Sequence, residues 1–403
     1  MYTRSAIVFN CYYNGLSIIR ELGKNNIPVY AMDTFRNVGT YSKYAKYIKC
    51  PDPTINEGEF IDFLLDFGKR FLEKPIIFPT NDSWVLVISK NYKILSEYYI
   101  LCSSGFETVD LLLKKRAFSN WCKNNGFSVP ETWRFDEKEK ISQAYYPLIV
   151  KPENRRPENG NHSLFSLLDK LRLTRINFKE ELLLFEKKHE EIISHFLIQE
   201  LIEGFSDTMY TVGIFSYEGN IKGVFTGRKV RGYPADIGDC VVGQIEKMPD
   251  TVIEEVEKIC EKLNYTGIAE FEYKKDVGKN IFKLIEINPR SWSWIGITPF
   301  CGVNLPLIAY MNLTDSTNNS NEVVFSDKSD GSVRYVKIID DLYNSCFRYK
   351  KDGFFKWHKS FYEWYISLKC NKLVVAEWEY GDVKPLFFTV FSKIRSIIKR
   401  LLK

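Results

Sequence analysis

A chain of 403 residues, 45% hydrophobic and 27% charged, has the composition of an ordinary globular protein and the length for two or three packed domains. Its nine cysteines are odd in number and hold no C-x-x-C pair, so neither a disulfide framework nor a zinc site is expected, and reduced thiols fit best. The net charge of +5 resides entirely in residues 386–403, where Lys393, Arg395, Lys399, Arg400 and Lys403 stand without an acid; the rest is neutral, which gives no support to a nucleic-acid-binding surface.

Arg4 is followed by only a short apolar run, so no signal peptide is expected, and no apolar segment reaches the ~18 residues that span a bilayer. A cytoplasmic protein is the expectation. His162, His189, His195 and His358 show no ligand spacing.

Residues 4–33 read as strand, helix, strand: Ser5–Asn10 is apolar, Leu16–Lys24 has helical periodicity and Pro28–Asp33 is apolar again. Such a βαβ unit predicts a parallel sheet. Its loop, Asn10-Cys11-Tyr12-Tyr13-Asn14-Gly15, is not G-x-G-x-x-G, which argues against a Rossmann cofactor site. Pro75–Pro79 and Tyr99–Ser103 are further strands, with Asn81-Asp82 placed to cap a helix starting at Ser83.

From Asp110 the character changes. Lys115 stands eleven residues before Gly126, ahead of a turn at Pro130; taken alone it is equally a solvated helix lysine beside Lys114 and Arg116. Tyr146-Pro-Leu-Ile-Val-Lys151 closes an apolar strand on a lysine, whose stem must thread past core residues to bring its charge to a cleft. The loop 153–162 contains Arg155, Arg156 and a single glycine, Gly160. Residues 177–195 read as a charged helix capped by Asn177, with Glu180 in its first turn. In Phe196-Leu-Ile-Gln-Glu200-Leu-Ile202-Glu203-Gly204, Glu200 could simply end an edge strand.

Gly213–Val224 predicts a hairpin around Glu218-Gly219-Asn220. In Arg228-Lys229-Val-Arg231-Gly-Tyr-Pro234, alternation places Lys229 and Arg231 on one face and Arg228 on the other. A bare basic patch is the alternative, disfavoured because no acid lies near in sequence. A helix is expected over 249–263. Trp292 and Trp294 either wall a pocket or fill core. Residues 312–330 read as a linker, and 331–403 as an aromatic-rich extension. From Phe387, apolar residues at 387, 390, 391, 394, 397, 398, 401 and 402 oppose basic ones. This cationic amphipathic helix suits either an anionic membrane surface or packing on its own protein.

The richest stretch runs from Gly267 to Trp294 and reads as two strands around Asp276-Val277-Gly278-Lys279-Asn280. Glu270, Glu272 and Lys274 share one face of the first strand; Phe282, Leu284, Glu286 and Asn288 lie together on the second. Folding about the turn sets Glu272 across from Glu286, with Asn288 one pleat further on. Glu286, within Leu-Ile-Glu-Ile, is costly to bury without a cation. Two carboxylates and an amide oxygen suit Mg²⁺, which completes its shell with water and phosphates. Arg290 supplies a planar cation for a phosphate or carboxylate. A solvated edge hairpin balanced by Lys274, Lys275 and Lys283 is the bland alternative.

This hairpin resembles the metal-binding hairpin of the ATP-grasp superfamily, a Gly-x-x-x-x-(Glu/Asp) strand followed by Glu-x-Asn, here Gly267, Glu272, Glu286 and Asn288. The ending Glu-Ile-Asn-Pro-Arg is similar to that of the carboxylate–amine ligase branch. The segments around Lys115, Lys151, Glu200 and Lys229 resemble the other family motifs, in family order, over roughly residues 5–310. The resemblance implies a mixed α/β and α+β fold: an open parallel-sheet domain over 1–110, a small ATP-grasp lobe over 111–195, a metal-binding lobe over 196–315 and a C-terminal extension over 316–403. It implies ATP with Mg²⁺, or Mn²⁺, held by Glu272, Glu286 and Asn288. Lys115 and Lys151 would contact phosphates, Glu200 and the backbone of Ile202 the adenine, and Glu203 or Asp207 the ribose. Lys229 and Arg231 would meet the γ-phosphate and substrate carboxylate, with Arg290 beside them. The loop 153–162 departs from the family in being poor in glycine.

The implied chemistry is ADP-forming ligation of a small-molecule or sugar-linked carboxylate to an amine through an acylphosphate. A setting in cell-envelope or polysaccharide synthesis, as for D-aspartate ligases, would place the protein at the inner face of the membrane, with residues 386–403 as the contact. The alternative function is a non-catalytic nucleotide-binding regulator at that surface.

Overall fold

Ala6–Phe9 and Ile76–Phe78 are buried at every position, as expected of apolar runs in a sheet covered on both faces. The computed structural model describes residues 4–153, 162–235, 238–314 and 322–401. Arg155, Arg156 and Gly160 lie outside the described residues, as do positions 315–321 of the expected linker. The chain forms two compact units. One comprises residues 1–109, 205–271 and 288–403, the other residues 110–204 and 272–287.

The first unit contains a five-stranded parallel sheet in the order Ala45–Lys49, Val29–Asp33, Ala6–Phe9, Ile76–Phe78, Ile100–Leu101. The predicted first helix spans Tyr13–Lys24. Strand order reverses between Ala6–Phe9 and Ile76–Phe78, the position where open α/β sheets form a ligand crevice. The two loops beyond those strands are tied together: Thr80 Oγ1 donates to the Phe9 carbonyl at 2.6 Å and Asn14 Nδ2 donates to the Thr80 carbonyl at 2.7 Å. Asn81, just before the helix Asp82–Lys90, caps it by accepting from the Ser83 N–H.

The second sheet of this unit is built on Met209–Tyr217 and Asn220–Tyr233, antiparallel around the expected turn at Glu218-Gly219. Asp239–Ile245 follows, and the C-terminal segment adds Val333–Val336 and then Lys372–Val375. Two strands of the segment expected as an extension, Val333–Val336 and Lys372–Val375, are therefore structural members of this sheet. Trp292 and Trp294, each 1% exposed, fill core. They lie where the sheet has glycines: a Cβ on Gly213 would sit 2.1 Å from Trp292, and one on Gly243 would sit 2.5 Å from Trp294. Both tryptophans share a hydrophobic cluster with Ala6, Val8, Leu16 and Phe225.

The hairpin forms as Gly267–Asp276 and Ile281–Asn288 beside Met209–Tyr217. Its base, through Phe271 and from Asn288, belongs to the first unit; residues 272–287 belong to the second. The helix before it spans Asp250–Lys262.

The second unit has a four-stranded antiparallel sheet ordered Thr132–Trp133, Phe196–Glu200, Leu148–Pro152, Thr174–Ile176. The charged segment expected as one helix over 177–195 divides into an α-helix, Lys179–Lys188, and a 3₁₀ stretch, Glu190–His195. Asn177 does not cap it: Phe178 holds the N-cap position without a side-chain bond, and the Asn177 Oδ1 that a cap would use accepts from Arg175 Nε at 3.0 Å instead.

Candidate active site

Lys151 ends its strand as the threading argument requires. It is 8% exposed and pairs in register with Leu197. Lys115 opens the helix Lys115–Asn124, and its Nζ donates to the Glu153 carbonyl at 3.0 Å. Glu200 ends Phe196–Glu200; its carboxylate accepts from the Glu131 N–H at 3.1 Å and from Lys283 Nζ at 2.6 Å. Ile202 is 3% exposed, an apolar side chain with backbone to offer. Glu203 is exposed and accepts from Arg175 at 3.0 Å. These residues belong to the second unit, as do Glu272 and Glu286, both half-buried.

The first unit holds the rest. Asp207 meets Lys356 at 3.4 Å through its carboxylate and Arg228 through its carbonyl. Lys229 is 7% exposed and pairs with Gly243 on the adjacent strand. Arg231 pairs with Val242, the neighbour of Gly243. Consecutive strand residues face opposite sides, so Lys229 and Arg231 do as well. A bulge at Val230 has consumed one residue of the alternation.

The structure thus corrects the expectation that Lys229 and Arg231 act from one face. Arg231 is 3% exposed and forks onto Asp341, which is fully buried: Nε donates to Oδ1 at 2.8 Å and Nη2 to Oδ2 at 2.7 Å. Nη1 donates to Ser367 Oγ, and Trp364 Nε1 completes the shell of Asp341. With its fork committed, Arg231 joins the C-terminal segment to the sheet and is not presented as a substrate ligand. The acids that balance this basic run, Glu246 for Arg228 and Asp341 for Arg231, come from elsewhere in the chain.

At the base of the hairpin stands a carboxylate that sequence reasoning left out of the site. Glu270 is 4% exposed and accepts from Thr211 Oγ1 on one oxygen and from Asn288 Nδ2 on the other, each at 3.0 Å. The signal was present: Glu270 shares a face with Glu272 and is enclosed by Ala269 and Phe271. Asn288 Oδ1 accepts from Arg290 Nη2 at 3.1 Å, and Arg290 Nε donates to Asp82 Oδ1 at 2.7 Å. Thr211, Glu270, Asn288, Arg290 and Asp82 therefore form one relay from the hairpin base to the strand-order reversal of the first sheet. Arg290 orients Asn288 as well as offering charge.

Among the described residues no three His, Cys, Asp or Glu side chains group closely enough to hold a metal by themselves. An ion here needs the Asn288 oxygen, water and substrate phosphate to complete its shell. Carboxylates with an amide oxygen and no sulfur or imidazole are the donor set that Mg²⁺ takes. Glu270 Oε1 accepts from Thr211 and Oε2 from Asn288, and an ionised carboxylate offers about four lone-pair sites in all.

Fold and hairpin together point to a class: they are similar to those of the ATP-grasp superfamily. Residues 195–338 match the family model described as ATP-grasp in the biosynthetic pathway with Ter operon. A curated relative is the D-aspartate ligase of Enterococcus faecium (strain Aus0004), 25% identical over 268 residues; the match spans 61% of this chain and 61% of that protein's length. Among solved structures, the L-amino acid ligase from Bacillus licheniformis superposes with a TM-score of 0.58 at 15% identity, covering 80% of this chain and 78% of that one. The N5-carboxyaminoimidazole synthetase from Staphylococcus aureus complexed with ADP gives 0.58 at 14% identity, covering 76% and 77%. The biotin carboxylase domain of the Hydrogenobacter thermophilus 2-oxoglutarate carboxylase, in complex with MgADP, gives 0.60 at 12% identity, covering 79% and 72%. At these identities the structural likeness speaks for the fold.

Proposed function

We propose that this protein is an ATP- and Mg²⁺-dependent ligase that joins a carboxylate to an amine through an acylphosphate and releases ADP and phosphate. The observation that carries this is the paired carboxylate and amide, Glu270 and Asn288, held by Arg290 at the base of an ATP-grasp hairpin. A carboxylate oxygen of the first substrate attacks the γ-phosphorus. The bond to the β–γ bridging oxygen breaks, and ADP leaves with the electron pair. The amine nitrogen then attacks the acyl carbon, the bond to phosphate breaks, and the nitrogen loses its proton.

Two anions must approach each other in the first step. Lys115, Lys151 and Lys229 are assigned to offset that repulsion at the phosphates, Glu200 and Ile202 to the adenine, and Glu203 or Asp207 to the ribose. Glu272, Glu286 and Asn288 are assigned to Mg²⁺, which would supply charge stabilisation on the transferring phosphoryl group, and Glu270 accepts from Asn288. Arg290 positions Asn288.

A peripheral membrane contact belongs to the same proposal. The helix Lys384–Leu401 stacks Phe388 on Tyr41 at 4.6 Å and leaves Phe387, Phe391, Ile394 and Ile398 exposed along one stripe. Among the described residues no helix is long and apolar enough to cross a membrane.

The test is ADP release over a panel of amino acids and uronic acids as carboxylates, with hydroxylamine present to trap the acylphosphate. ADP together with a hydroxamate is expected. AMP in place of ADP would mean adenylation and reject the mechanism; ATP binding without turnover would mean the regulatory alternative.

A further inference from the structure

The C-terminal segment carries a short helix, Phe361–Ser367, opened by a capping box: the Ser360 side chain accepts from the Glu363 N–H, and the Glu363 carboxylate accepts from the Ser360 N–H. Successive helical residues turn by about 100°, so Trp364 and Leu368 lie on one side and Tyr362, Tyr365 and Ile366 on the other. The first side packs inward. Trp364 and Leu368 are each 6% exposed, and Trp364 Nε1 donates to the buried Asp341 at 2.8 Å. The second side faces solvent, with Tyr362 72% and Tyr365 57% exposed and Ile366 beside them. Phe361 at the head of the helix is exposed as well. A surface helix ordinarily turns polar residues outward; one with large apolar bodies on both sides has a second neighbour to meet.

The charge around this face narrows the choice of neighbour. Residues 347–369 hold six Lys and Arg against two acids. Lys350, Lys351 and Lys369 are exposed, and among the described residues none of the three has a carboxylate within 4.0 Å. Lys369 stands directly past the helix end, its N–H still bonded to the Ile366 carbonyl. A second copy of the chain meeting this face about a two-fold axis would set those lysines against their own equivalents. The headgroup layer of a bilayer with anionic lipid brings no such conflict: rings bury their apolar bodies there while lysines stay with the phosphates. The terminal helix adjoins the same block. Its Lys393 is ion-paired with Asp340 and lies 5.3 Å from the centre of the Tyr343 ring, which stands 6.0 Å from that of the exposed Phe347.

We propose that the outer face of this helix, Tyr362, Tyr365 and Ile366 with Phe361, docks on a bilayer surface that contains anionic phospholipid. It is a second contact, on a different element from the terminal helix. The membrane setting rests on the proposed terminal-helix contact; the docking of this face does not. A single weak membrane signal gives marginal, reversible binding, and two together give stable anchoring.

The test is co-flotation of the full chain with vesicles of phosphatidylglycerol and phosphatidylcholine in equal parts. Tyr362→Ser, Tyr365→Ser and Ile366→Ser, combined, should lower partitioning at least tenfold and leave the thermal midpoint within a few degrees of the parent's. Should that variant fail to fold, Lys350→Glu with Lys351→Glu and Lys369→Glu takes its place, with a loss of the same size expected. Vesicles of phosphatidylcholine alone should bind the parent at least tenfold more weakly. The proposal is overturned if the folded variant partitions like the parent or if the parent binds both vesicle types equally. It is also overturned if the parent sediments as a dimer that the serine substitutions dissociate, which would make this face an interface between copies. Flotation lost here but kept when the terminal-helix stripe is replaced would leave this contact standing and reject the terminal one; the converse would reject this contact alone.

Discussion

Asn288 donates to Glu270 through Nδ2 at 3.0 Å and accepts from Arg290 through Oδ1 at 3.1 Å, so a single amide fixes the spacing between a buried acid and a guanidinium. Glu270→Gln preserves the shape and removes the charge. It is expected to lower Mg²⁺-dependent turnover by about a hundredfold, the upper range for a group that orients or supplements a metal ligand. Glu286→Gln should abolish that turnover while leaving the fold intact. Steady-state ADP release against Mg²⁺ concentration reads both; full activity in either variant refutes its assignment.

Arg231 and Asp341 lie at 3% and 0% exposure of their side chains, so removing one strands the other without water. Arg231→Met is expected to destabilise the protein by about 3–5 kcal/mol, the usual cost of breaking a buried pair. Urea denaturation measures it. A change in substrate KM with an unchanged unfolding midpoint would return Arg231 to the substrate.

Glu377 is fully buried, with Oε2 accepting from the Ile338 N–H at 3.1 Å and Oε1 without a donor among the described residues. Burial pushes its carboxyl up from an ordinary 4.5 to about 7. The folded state therefore keeps a proton that the unfolded chain releases. The stabilisation is full below pH 4.5 and is lost as pH rises to about 7, a total of roughly 3 kcal/mol. Between pH 5 and pH 8 the unfolding free energy of Glu377→Gln should gain on the parent's by an amount of that order. Parallel pH profiles for the two proteins would show that Glu377 titrates normally.

The stripe formed by Phe387, Phe391, Ile394 and Ile398 is exposed on the helix that stacks Phe388 on Tyr41. Replacing those four residues with Ser, with Phe388 kept, should abolish co-flotation with vesicles rich in anionic phospholipid and leave the thermal midpoint within a few degrees. Unchanged flotation would reject the membrane contact.

Local pattern carried much of this protein. The apolar runs at Ala6–Phe9 and Ile76–Phe78 became buried parallel strands, and the turns at Glu218-Gly219 and 277–280 formed where polar and glycine residues interrupt alternation. The lysine at the end of Leu148–Pro152 is buried as its position in an apolar strand requires. Glu270 was legible from its face but lacked a reason to be preferred over Glu272. That reason is Thr211, which lies 59 residues away in sequence and beside it in space.

The βα alternation of the first domain, the class of fold and the presence of the hairpin were determined by the sequence alone, because each depends on residues close enough along the chain to share one period. The commitments of individual charges were decided only by tertiary structure. A single bulge at Val230 turned Arg231 toward a partner 110 residues away, and alternation cannot register a residue that the sheet leaves unpaired.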